Sequence, residues 1–400
     1  MSIKRAALTA LCAVCIGAVL LSLRETPAVF EYNILSPRVE KPEPAAPSPE
    51  EAEDGGQPKE EKPSALSELL KDLDAKAQDL GGVLSAYGAA AYLPSASCSD
   101  PQSEKEPKAA LLKGIWGARL HPDGVLVEGR QLYLEEIEKG SPCAVINEWL
   151  AINLYRIGNP VGRKLRVGEA EFTVVGVVKS ARTVGDREPG LVLAPLLALD
   201  KAGIQTRMLS VLMQPTPGSG AYAALSQAMA KWQEGGDFYS LPKEAYRVRL
   251  PLRLLLCALG ALVVAVTLRL SGLATKSLYQ GGKHRLERRY AVNMLPEIIG
   301  RALLILLMYA VNAAAIALIL QALIAPVYIF PEWVPGRLVD PGKIAETFWI
   351  LRGQGNGLLS LRTPELLRLR YLHRLMTVFC SALFFLLLRP YYLWKKRVFD

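Results

Sequence analysis

Four apolar stretches, at 6–23, 250–270, 302–329 and 375–394, divide this chain of 400 residues, and a long segment of ordinary polarity lies between the first and the second. Each run approaches the ~20 apolar residues a helix needs to cross a bilayer. The hydrocarbon core tolerates no unsatisfied backbone, so the runs are expected as helices and the long segment as a domain outside lipid. A hydrophobic content of 51% and a mean hydropathy of +0.20 agree with that division. The first run, with Lys4 and Arg5 before it and Arg24 after it, shares features with a cleaved signal peptide. Its length, and the lack of a small-x-small pattern just beyond it, predict an uncleaved anchor.

Charge sets the orientation. The net charge of +9 flanks the apolar runs instead of gathering on a soluble face, which argues against a nucleic-acid partner. Arg269, Lys276, Lys283, Arg285, Arg288 and Arg289 lie between the second and third runs, and Lys395, Lys396 and Arg397 close the chain. Short basic loops stay in the cytoplasm, so both termini are expected inside and residues 25–249 outside. Arg362, Arg368, Arg370 and Arg374 precede the last run and oppose this; four crossings decide the parity.

The expected fold is thus four transmembrane helices with a large extracytoplasmic α+β domain between the first and second. An anchor at 1–24 leads to a linker at 25–63, whose prolines at 37, 42, 44, 47, 49, 58 and 63 are interleaved with Glu and Lys. The outer domain follows at 64–249, then a membrane region at 250–400 with a cytoplasmic loop at 271–295. Ser64 is placed to cap a helix whose apolar face is Leu66, Leu69, Leu70, Leu73, Ala77 and Leu80. Residues 81–94 read as small-residue-rich and turn-like, and 95–107 as a polar loop. Ala144–Ile146 is a buried strand, Asn147 a cap for a helix through Tyr155, and 163–178 a hairpin turning at Gly168. Strands at 191–194 and 208–213 and a helix at 219–234 complete the reading.

Catalytic patterns are missing. No G-x-x-x-x-G-K-[ST] loop occurs, and Gly281-Gly282-Lys283 is a weak echo of one. The three histidines, His121, His284 and His373, fall in separate regions without metal-ligand spacing, so no metal site is expected. Glu135, Glu136 and Glu138 read as a solvated helix face. Asn312 and Gln321 are polar groups inside the third run and are expected to bond neighbouring helices. Cys12, Cys15, Cys257 and Cys380 lie in apolar runs; Cys98 and Cys143 are the pair in the outer domain. An oxidising compartment permits their disulfide, and two separate thiols are the alternative.

Four ordered blocks carry a resemblance: Glu128–Arg130, Ala144–Glu148, Asn159–Leu165 and Phe172–Val178. Together they resemble the MacB-like periplasmic core domain of permeases of the MacB/FtsX class of ABC transporters. The resemblance assigns Asn147 and Glu148 to the strand-to-helix junction and Gly158, Pro160, Val161 and Gly162 to the turn into the hairpin. It assigns Gly176 to the core strand, and Arg182 with Asp186–Pro189 to the segment leading to the next strand. It implies no catalysis in this chain, with ATP and Mg held by a separate ATPase subunit that Lys283, Arg285, Arg288 and Arg289 would face. It further implies a multi-pass protein of the cytoplasmic membrane, pairing with itself or a sister permease, and an extracytoplasmic accessory protein. The implied function is mechanotransmission or export acting on lipoproteins, peptides or amphiphiles at the outer face. A membrane-anchored scaffold or regulator that keeps the outer fold is the alternative.

Overall fold

The computed structural model describes residues 3–36, 65–103, 106–121, 123–156, 158–179, 189–216, 221–286, 291–329, 342, 349 and 362–399. The chain divides into two units: Met1–Arg24, Tyr246–Gly357 and Leu372–Asp400 form one, and Glu25–Ala245 with Leu358–Tyr371 the other.

The first unit holds most of the apolar helical sequence. Four helices are long and apolar enough to cross a membrane, at Arg5–Ser22, Leu241–Gly281, Ile299–Pro326 and Pro364–Leu388, and the protein is a multi-pass membrane protein. They belong to α1 (Ile3–Ser22), α7 (Leu241–Leu286), α8 (Ala291–Ile329) and α9 (Pro364–Phe399). At 1.5 Å per residue, the 46 residues of α7 span about 69 Å, over twice the ~30 Å of hydrocarbon. Residues 271–286, expected as loop, are therefore helix, and only 287–290 separate α7 from α8. Good helix formers such as Leu273, Ala274, Lys276, Leu278 and Gln280 carry the helix up to and through Gly281 and Gly282.

The second unit is built on a mixed sheet of ten strands in the order β10-β1-β9-β2-β3-β8-β5-β7-β4, with β6 joining β2 to β7. The strands are β1 (Phe30–Leu35), β2 (Leu84–Ser99), β3 (Lys108–Gly117), β4 (Val125–Gly129), β5 (Cys143–Asn147), β6 (Lys164–Val167), β7 (Ala170–Lys179), β8 (Gly190–Pro195), β9 (Met208–Pro215) and β10 (Asp237–Ser240). Pairings β2–β3, β3–β8, β8–β5, β5–β7, β7–β6 and β6–β2 close a ring of six strands. Its interior takes a residue pair spaced by two from every strand: Ala96 and Cys98, Ala110 and Leu112, Val192 and Ala194, Ala144 and Ile146, Phe172 and Val174, and Leu165 and Val167. This is the period-two rule of strands applied around a closed barrel. Leu150, Leu154 and Tyr155 of α4 (Glu148–Tyr155) and Leu199 of α5 (Leu196–Lys201) join that core.

Beside the ring, β1, β9 and β2 form an open wing. Phe30, Tyr32, Ile34, Leu209, Val211, Met213, Ala89 and Ala91 pack on one face under α2 (Ala65–Asp79) and α6 (Ala221–Trp232). The expected face of α2 is present, with Leu66, Leu70, Leu73 and Ala77 buried, whereas Ser64 lies outside the described residues.

Two expectations are corrected. Residues 84–99 are neither turn nor loop but the longest strand; Pro94 is accommodated because the β2–β3 register shifts between Leu93 and Ala96, with Ser95 at φ +58°. Cys98 and Cys143 are not joined by a disulfide. Cys98 faces the ring interior, whereas Cys143 packs with Ile137, Val145 and Leu193 on the other face of the sheet, so the sheet itself separates the two sulfurs. Burial and the charge of Glu136 push the Cys143 thiol up to about 11.

Candidate functional site

The outer unit brings three separate chain segments together at one wing of its sheet. β1 follows the first apolar helix, and β10 leads into α7. These strands pair antiparallel, Phe30 opposite Ser240, and Leu241 N–H donates to the Val29 carbonyl at 3.1 Å. The chain thus enters and leaves the outer unit through adjacent strands. The third segment is the start of α9, where Thr363 is the N-cap and Pro364 occupies the first helical position. Thr363 Oγ1 accepts from Leu366 N–H at 3.3 Å and donates to Glu31 Oε2 at 2.7 Å. Leu366 and Leu369 are buried beside this bond.

The wing's second face is polar. Glu31, Asn33 and Ser210 are fully buried on it, the last two directly opposite each other across β1 and β9. His121, from the loop after β3, brings Nε2 to 3.1 Å from Glu31 Oε1, with side-chain exposures of 2% and 0%. The direction of approach makes no hydrogen bond, and Nδ1 has no partner among the described residues. Next to it Lys113 and Arg119 hold Asp123 at 2.5 and 3.2 Å around a cavity of about 10 Å³, room for one water. Burial raises the Asp123 carboxyl, but Lys113 and Arg119 outweigh it and hold the group below its usual range. Burial, then the charges of Glu31, Asp123 and Glu365, push the Tyr92 phenol well up.

This convergence was only partly legible. Residues 30–35 fell inside the expected linker, although Phe30, Tyr32 and Ile34 alternate with Glu31 and Asn33 as a half-buried strand does. Two of the four arginines that opposed the orientation rule have local duties: Arg362 lies over the Tyr239 ring at 5.8 Å, and Arg368 pairs with Glu365 at 3.4 Å. Both belong to the outer unit.

The remaining predicted residues fall as follows. Asn147 caps α4, its Oδ1 accepting from Leu150 N–H at 3.1 Å while its amide donates to the Pro189 carbonyl at 2.7 Å. Glu148 opens that helix, where a carboxylate suits the dipole. Arg163 N–H closes a turn onto the Pro160 carbonyl at 3.1 Å, with Gly162 at φ +85°. Gly176 lies where a Cβ would stand 2.0 Å from the Arg130 carbonyl, so only glycine fits. Glu135 and Glu138 are exposed, as expected of a solvated helix face, whereas Glu136 is half-buried and binds Arg130 at 2.5 and 2.7 Å. Arg182 and Asp186–Glu188 lie outside the described residues.

In the membrane unit, Thr267 Oγ1 donates to Asn312 Oδ1, and Asn312 Nδ2 donates to the Met308 carbonyl at 2.9 Å. Asn312 therefore bridges α7 and α8, whereas Gln321 is exposed on α8. Asn312→Leu is expected to weaken the helix pair by about 0.6–2 kcal/mol, read as a lower thermal midpoint in detergent. Lys283 and Arg285 stand on the last turns of α7; Arg288 and Arg289 lie outside the described residues.

Residues 63–231 match the family model of the MacB-like periplasmic core domain. The chain carries a MacB-like periplasmic core domain. That domain is set between the first two of the four apolar helices. The extracellular domain of the ABC-type transporter YknZ from Gram-positive bacteria aligns at 16% identity, covering 42% of this chain and 88% of that one, with a TM-score of 0.32. The periplasmic region of MacB from Actinobacillus actinomycetemcomitans aligns at 12% identity, covering 56% and 94%, with a TM-score of 0.36. No curated protein matches the sequence.

Proposed function

We propose that this MacB-type protein is the permease subunit of an ABC-type complex that works by mechanotransmission or export, driven by ATP hydrolysis on a separate subunit. The observation that carries the reading is the insertion of the core domain between the first two spans, with its inbound and outbound strands paired side by side. The outbound strand β10 ends at Ser240 and α7 begins at the next residue, Leu241, so strand and helix are continuous in the chain. ATP and Mg would sit on the partner, which the basic end of α7 and the residues after it, Lys283, Arg285, Arg288 and Arg289, would meet in the cytoplasm. The substrates by this reading are lipoproteins, peptides or amphiphiles handled at the outer face, by a pair of permeases with an extracytoplasmic accessory protein.

Charge reversal tests it. Arg285→Glu, Arg288→Glu and Arg289→Glu together are expected to abolish co-purification of an ABC ATPase from membranes while leaving the permease folded. Undiminished ATPase recovery, or none from the unaltered protein, would favour the scaffold reading instead.

A further inference from the structure

We propose that Glu31 and Thr363 form a register joint that keys the start of the last membrane helix to the outer domain. This deepens the mechanotransmission reading and rests on it for its purpose, though not for its existence. Leu366 and Leu369 bury their side chains at exposures of 4% and 2%, which supplies adhesion. Adhesion between leucines is tolerant of sliding and rotation, because one apolar contact replaces another at little cost. A helix that must deliver a small displacement to a sheet needs a contact that has one solution.

The Glu31–Thr363 bond has that property. Both residues are 0% exposed, so neither can exchange its partner for solvent. Thr363 Oγ1 accepts from Leu366 N–H, which fixes where the helix begins, and donates to Glu31 Oε2 at 2.7 Å, which fixes what the beginning touches. Helix start and docking point are one atom. Glu31 in turn sits on a strand paired on both sides, with Tyr239 of β10 and Leu212 of β9 as its cross-strand neighbours. A pull on Thr363 therefore acts on a strand hydrogen-bonded on both sides rather than on a loop. The other carboxyl oxygen of Glu31 lies 3.1 Å from His121 Nε2, a close contact without a hydrogen bond. Burying this much polarity is a poor way to gain stability, since apolar residues of similar shape would do as well or better; fixing a unique register is the best-attested use of such groups.

The test uses the full chain in detergent and amide hydrogen exchange resolved to residues 364–371. Thr363→Val is expected to speed exchange there at least tenfold, with β5 and β7 unchanged, and Thr363→Ser to restore the original rate. Glu31→Gln, which keeps an acceptor, is expected to be milder than Glu31→Leu. Exchange that rises equally across the ring strands, or that stays fast in Thr363→Ser, would overturn the joint and leave a purely structural cluster. So would unchanged exchange in Thr363→Val. Should Thr363→Val fail to fold, the Thr363→Ser and Glu31→Gln pair decides on the same readout. Because no ATPase enters this measurement, a joint that passes it while no ATPase co-purifies would sink the permease reading alone. A joint that fails it with ATPase bound would sink only the joint.

Discussion

Phe172→Ala is expected to destabilise the outer unit by about 3–5 kcal/mol, a large share of the about 5–15 kcal/mol by which a domain is stable. Phe172 is 2% exposed and belongs to the six-strand ring, where each strand supplies two interior side chains. Its neighbours are held by backbone ladders on both sides, so the ring has little freedom to collapse into the space left behind. The loss is then transfer free energy plus an unfilled cavity. Denaturant unfolding of the full chain in micelles, followed by pulse proteolysis, reads the shift. Ile152→Ala, at a position 65% exposed on α4, is the matched control and is expected to move stability by less than about 0.5 kcal/mol. Equal effects of the two changes would contradict the ring as the load-carrying core.

Asp123→Asn is expected to cost about 3–5 kcal/mol, because it strands the buried ammonium of Lys113 with its counter-charge removed. Lys113 and Asp123 have side-chain exposures of 10% and 5%, so solvent cannot compensate. The same residue sets a pH dependence. The Asp123 carboxyl is held below its unfolded value by Lys113 and Arg119 against the opposing effect of burial. Its contribution is therefore complete above the unfolded pKa of about 4 and is lost as pH falls through the lower folded value. The unaltered protein should lose stability on acidification below about pH 4, and the Asp123→Asn variant should lack that portion of the slope. Parallel pH profiles would refute the assignment.

The elements that followed simple local rules were legible. The cap at Asn147, the leucine face of α2 and the hairpin around Gly168 each depend on residues within a few positions of one another. β2 was not legible, because Tyr-Gly-Ala-Ala-Ala-Tyr has low strand propensity and only its place between β3 and β9 makes it extended. Small side chains there leave room for other groups: at Gly114 of the neighbouring strand a Cβ would stand 2.9 Å from both Leu196 and Leu199. The disulfide expectation failed for a related reason, since spacing along the chain carries no information about which face of a sheet a residue takes.

The sequence by itself determined the four apolar helices, the position of the core domain between the first two, and the motif residues of that domain. Hydrophobic length and local capping are one-dimensional properties, and they survive being read one-dimensionally. Only the tertiary structure decided that Glu31, His121 and Thr363 meet. They are separated by up to 332 positions, and no periodicity links them. What joins them is the sheet, which buries Glu31 beside both His121 and Thr363.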